Sequence, residues 1–72
     1  MTPARLIECL TILGWSTTIL AHQLDCREEL TRRWRAGKQG YSIPDGVADW
    51  IERRAAAALA DPAPAEWKRR AA

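Results

Sequence analysis

The stretch TTILAHQLDCREELTRRW, Thr17 to Trp34, decides the fold. Leu20, Ala21 and Leu24 lie on one face if residues 17–24 are helical. Asp25 then stands where the chain must turn, and Asp tolerates left-handed geometry better than most residues. A further helix is predicted from about Arg27 to Ala36. Its first turn holds Glu28 and Glu29, and its later turns hold Arg32, Arg33 and Arg35, an order that complements the helix dipole. Leu30, Thr31 and Trp34 form its apolar side, and Gly37 is its stop. The stretch thus reads as two short helices joined by a tight turn.

On the N-terminal side, Leu6, Ile7, Leu10 and Leu13 recur at helical spacing. Pro3 suits a first helical turn and Gly14 a C-terminal cap, which predicts a helix over 3–13. Ser16 can cap the next helix through its hydroxyl. On the C-terminal side, Ser42-Ile43-Pro44-Asp45 has the spacing of a capping box, with Asp in place of the usual Glu. A helix is expected from about Pro44 to Ala60, burying Val47, Trp50, Ile51 and Ala58. Asp61-Pro62-Ala63-Pro64 ends it, because proline cannot continue a helix. The closing AEWKRRAA forms one or two helical turns or stays loose. No stretch alternates with period two. The expectation is an all-α, compact four- to five-helix domain over 1–60, followed by a Pro-containing basic tail over 61–72.

Composition narrows the function. The chain has 72 residues, 47% hydrophobic and 28% charged, as a globular domain does and a disordered chain does not. So small a domain has little scaffold for a catalytic site, and no enzyme is expected. The longest apolar run, Ala55 to Ala60, is far short of the roughly 20 residues of a spanning helix. The start, MTPARLIECL, lacks the long apolar stretch of a signal peptide. A cytoplasmic protein with Cys9 and Cys26 reduced is the expectation, with Cys26 a small core residue. His22 and Cys26 do not have zinc spacing, and no Gly-rich phosphate loop occurs, so neither metal nor cofactor is expected. Net charge is +2, and the excess gathers in residues 25–40, with five bases against three acids, and in Lys68-Arg69-Arg70. That placement points to an anionic partner.

Two short helices across a tight turn suggest a helix-turn-helix. Thr17 to Trp34 resembles that motif in the Cro/CI-type, XRE-like regulators. Counted from Thr17, that family keeps apolar or small residues at the fourth, fifth, eighth, tenth, fifteenth and eighteenth places. Here these are Leu20, Ala21, Leu24, Cys26, Thr31 and Trp34. A small residue such as Ala21 lets two helices cross closely. Leu13 to Ser16 (LGWS) and Ile43 to Ile51 (IPDGVADWI) look like the family's flanking segments, so the resemblance spans about residues 4–60. Asp25 replaces the usual turn Gly, Arg27 the usual Ser or Thr cap, and Thr31 a branched aliphatic residue.

The resemblance implies a lambda-repressor-like fold and a sequence-specific DNA-binding regulator, a repressor. Helix 27–36 would lie in the major groove of double-stranded DNA. Carried over by position, Arg27, Glu28, Glu29, Arg32 and Arg33 face DNA, where Arg donates to guanine and Glu accepts from cytosine N4. Ser16, Thr17 and Thr18 would meet a phosphate, with Lys38 and Gln39 reaching the backbone. Leu30 sits at a place that tends to face DNA, yet shares a helix face with Trp34, which favours packing. A homodimer through the fourth helix or the segment around Trp67 would match a two-fold operator.

Two other readings stay open. The charges of residues 28–33 also suit a protein-interaction face with Glu28–Arg32 and Glu29–Arg33 pairs. The chain also suits the DNA-binding part of a longer regulator, with Asp61 to Pro64 opening a linker. Trp34 and Trp50 are expected to be buried near one another, because the fourth helix, which carries Trp50, must cover the back of the motif, with Trp15 stapling the first two helices.

Overall fold

Local capping chemistry cuts the chain into four helices in a computed structural model that describes residues 1–64. They are α1 (Pro3–Leu13), α2 (Thr17–Leu24), α3 (Glu28–Ala36) and α4 (Asp45–Ala60). No strand occurs among the described residues. Thr2 caps α1 by accepting from the Arg5 amide at 3.1 Å. Ser16 caps α2 by accepting from the Ile19 amide at 3.2 Å. The C-terminal ends of α1, α2 and α3 share one device. A residue in the left-handed region follows the helix, and two successive amides turn back onto its last carbonyls. At α2 the pair is Asp25 N–H to His22 and Cys26 N–H to Ala21. Asp25 holds φ 52°, the one positive φ outside glycine among the described residues. At α3, Gly37 has φ 70°, and a Cβ there would come within 3.2 Å of the Pro3 ring, so that position needs glycine twice over.

α1 lies between the other elements, packing on α4 along one side and on α3 along another, while α3 also packs on α2. α1 and α2 meet at 89°. The core comprises Leu6, Cys9 and Leu10 of α1, Leu20 and Ala21 of α2, Thr31 and Trp34 of α3, Ile43, and Ala48, Ile51 and Ala55 of α4. No single helix is long and apolar enough to cross a membrane.

Several expectations are corrected. On α1 the buried face is Leu6–Cys9–Leu10, and Ile7 is exposed. On α4 the buried stripe is Ala48–Ile51–Ala55, while Val47, Trp50 and Ala58 are half-buried beside it. Ala48 and Ala55 flank the fully buried Ile51 on the side toward α1, and Val47 and Trp50 stand beside that stripe. Trp50 therefore packs on Trp15, with ring centroids 5.8 Å apart at 42°, and the Arg54 guanidinium lies 5.5 Å from the Trp15 ring. Trp15 thus ties the end of α1 to α4. The helix that backs the α2–α3 pair is α1 rather than α4. The Ser42 capping box does not form: Pro44 is extended (φ −59°, ψ 143°) and stands at the N-cap itself, which leaves Ser42 two residues too early. Arg27 is likewise the N-cap of α3, not its first helical residue, and makes no side-chain cap. Cys26 is half-buried in the turn, and the fully buried thiol is that of Cys9. The expectations for Trp67 and for a fifth helix lie outside the described residues.

The α1–α4 contact carries one ion pair at its edge. Arg5 donates from Nε (2.9 Å to Oε2) and Nη2 (2.6 Å to Oε1) to the Glu52 carboxylate. Cys9 Sγ, 3.8 Å from Oε1, donates to the same group. The Arg5 hydrogen bonds hold the Glu52 carboxyl below its usual range, and burial pushes the Cys9 thiol up. A carboxyl whose pKa is lower in the folded than in the unfolded state stabilises the fold above the ordinary value of about 4.3 and loses that contribution as pH falls through the folded value. Melting temperature measured against pH is expected to fall less steeply below about pH 4.3 in Glu52→Gln than in the wild type. Parallel acid limbs in the two proteins would contradict the assignment.

Candidate nucleic-acid interface

The α2–α3 pair is fixed by a hydroxyl. Thr31 is completely buried, and its Oγ1 lies 2.9 Å from the Thr17 carbonyl on α2 and 2.9 Å from the Glu28 carbonyl on its own helix. Its proton is shared between them. Beside it Ala21 is buried and small enough for close crossing. A second bond links the same helix starts: Thr18 Oγ1 donates to Glu28 Oε1 at 2.6 Å. The N-terminus of α2 is thereby held against the N-terminal half of α3.

With Thr31 and Trp34 turned inward, α3 presents Glu29, Arg32 and Arg33 on its opposite side. Arg27 is exposed at its start and has no ion-pair partner among the described residues. Arg32 is loosely tied, its Nη1 3.4 Å from Glu28 Oε1 with the side chain 61% exposed. Arg33 is tied on two sides. Its Nη2 donates to Glu29, its Nη1 donates to the Tyr41 hydroxyl at 2.7 Å, and its guanidinium lies 4.8 Å from the Tyr41 ring centroid. Its side chain is 37% exposed. Leu30 is half-buried against the core, so it packs rather than facing outward.

The structure therefore brings Thr18, Glu28 and Arg32 together at one end of the face, and Glu29 with Arg33 at its centre. The Ser16 hydroxyl is engaged as a cap, and the Thr17 carbonyl is engaged by Thr31. Lys38 and Gln39 are exposed beyond α3, where they line a groove of about 510 Å³ with Met1, Pro3 and Tyr41. They are not grouped with Ser16, Thr17 and Thr18. Arg35 is grouped with two of these: it lines a second groove, of about 350 Å³, with Ser16, Thr17 and Trp15. Sequence reasoning left Arg35 and Tyr41 out of the site. Arg35 carried a signal, being one helical turn beyond Arg32 in a basic run. Tyr41 carried none, since a loop residue has no periodicity to place it. No protein-family model, curated protein or solved structure matches the chain.

The Thr31 hydroxyl can be removed without changing shape. Thr31→Val is expected to destabilise the protein by about 1 kcal/mol, the net contribution of one internal hydrogen bond. For a domain of this size that lowers the melting temperature by about 4–8 °C. A variant melting at or above the wild-type temperature would show that apolar packing alone holds α2 on α3.

Proposed function

We propose that the protein is a sequence-specific DNA-binding regulator of transcription with a lambda-repressor-like arrangement, acting as a cytoplasmic repressor and as a homodimer on a two-fold operator. The observation that carries this reading is the pinning of α2 across α3, which leaves a rigid helix with its charged side outward and arginines at both ends. A helix so mounted fits the major groove, which is wide enough to admit it. Over residues 25–40, Arg27, Arg32, Arg33, Arg35 and Lys38 outnumber Asp25, Glu28 and Glu29, so the surface is attractive to phosphate.

Within this reading Arg32 takes a guanine. Its exposed pair with Glu28 contributes little, and DNA displaces it at small cost. Glu28 then keeps its bond from Thr18 and is not left unpartnered. Arg27, exposed at the helix start, meets a phosphate. Ser16, Thr17 and Thr18 offer the first amides of α2 to the next phosphate, and Lys38 and Gln39 extend the contact along the backbone. A single motif covers one half-site, which is why a second copy is part of the proposal.

A protein-interaction module is the second reading, favoured by the Glu28–Arg32 and Glu29–Arg33 pairs that neutralise much of the face. Fluorescence anisotropy on DNA sites selected from random sequence separates the two. Wild-type affinity is expected to fall steeply with salt as counterions are released. Arg32→Ala is expected to cost roughly 1–3 kcal/mol on the best site and to relax preference at one base pair. Arg27→Ala should weaken all sequences alike and reduce the salt slope by about one. Salt-independent binding, or both variants binding like wild type, would leave the interaction module standing.

A further inference from the structure

We propose that Tyr41 is a specificity-determining positioning residue: by holding Arg33, it fixes the Glu29 carboxylate as an acceptor for a cytosine amino group. The inference rests on the DNA-binding reading above. It starts from the unequal treatment of two pairs with the same spacing. Glu28–Arg32 and Glu29–Arg33 are both four residues apart on α3. The first is long and exposed, and Glu28 has Thr18 as a closer partner. The second is continued by Tyr41, whose hydroxyl accepts from Arg33 Nη1 at 2.7 Å while its ring lies 4.8 Å from the guanidinium carbon.

Tyr41 is itself well anchored. It is half-buried against the core, its amide donates to the Lys38 carbonyl at 3.1 Å, and buried Ile43 follows two residues later. A guanidinium held by a hydrogen bond and a ring face loses much of its freedom before any ligand arrives. The carboxylate it grips is restrained with it. Arg33 engages Oε1 of Glu29, and no hydrogen bond to Oε2 occurs among the described residues. Glutamate at the major groove accepts from cytosine N4. Two adjacent glutamates would otherwise repel the phosphates, and a restrained Arg33 beside Glu29 offsets that repulsion while leaving one oxygen to read a base. The face thus divides into a loosely tied reader, Arg32, and a tightly held one, the Tyr41–Arg33–Glu29 chain. A preorganised acceptor discriminates more sharply than a free one, because little ordering is left to be done on binding.

Tyr41→Phe keeps the ring and removes the hydroxyl, and Tyr41→Leu removes both. In the free, ¹⁵N-labelled protein, rotation of the Arg33 guanidinium measured by NMR is expected to quicken from wild type to Tyr41→Phe to Tyr41→Leu. Anisotropy is then measured on the selected site and on copies in which each cytosine in turn becomes thymine. Wild type should lose about tenfold at one cytosine, as a good base contact provides. That ratio should shrink in Tyr41→Phe and approach one in Tyr41→Leu, with the salt slope unchanged because no cation is lost. A merely structural role for Tyr41 would weaken every site equally and leave the ratio intact. Tyr41→Leu retaining the full wild-type preference at every cytosine would overturn the proposal. Failure of the underlying DNA reading is seen separately, in the wild type itself, as binding without salt dependence.

Discussion

The Thr31 hydroxyl sets where α3 can lie. It is the one buried polar side chain among the described residues, and one internal hydrogen bond contributes about 1 kcal/mol net. The Glu28 carbonyl on its own helix serves the hydroxyl in any packing, whereas the Thr17 carbonyl lies on α2, so it is the added cross-helix bond that favours this packing over slipped alternatives. Everything on the outward side follows from that choice. With position 31 inward, positions 29, 32 and 33 are outward, and the Glu28 carboxylate comes within reach of Thr18. The threonine holds a place where a branched aliphatic residue of the same shape would fit. Here it adds direction to what would otherwise be apolar contact alone.

α1 connects this pair to α4. Its face toward α3 and its face toward α4 are both needed, which is why Leu6, Cys9 and Leu10 are all buried on a helix of eleven residues. At the rim of the α1–α4 contact, Arg5 and Glu52 form a half-buried, two-pronged ion pair, and Trp15, Trp50 and Arg54 form a packed group at the end of α1. The two groups lie at opposite ends of α1 and hold α4 in line. Neither group involves α3, whose Glu29 and Arg32 are exposed.

Much of the fold was legible because short-range chemistry specifies it. Pro3, Gly14, Ser16 and Gly37 mark helix ends by their own geometry, and the bounds of α1 and α2 follow from them. Asp25 was legible as a turn for the same reason. The α4 stripe was not. Size and hydrophobicity drew attention to Val47 and Trp50, whereas the stripe buried toward α1 is Ala48, Ile51 and Ala55. That choice depends on the facing helix, which periodicity within α4 does not contain. The charged residues of α3 were legible as a set, but their pairing was only half so. Spacing gave Glu28–Arg32 and Glu29–Arg33, while the inequality between them comes from Thr18 and Tyr41, which reach α3 from other segments.

We propose that α3, pinned on α2 by Thr31, offers its outward side to DNA. Chemical-shift mapping of the ¹⁵N-labelled protein with a duplex of mixed sequence at low salt tests it most directly. The account predicts that amide shifts gather at residues 16–18 and 27–33 and at Lys38, and leave the 45–60 helix nearly unchanged. Shifts concentrated on that fourth helix, or none at a duplex concentration that saturates non-specific binding of about 10⁻⁴ M, would contradict it.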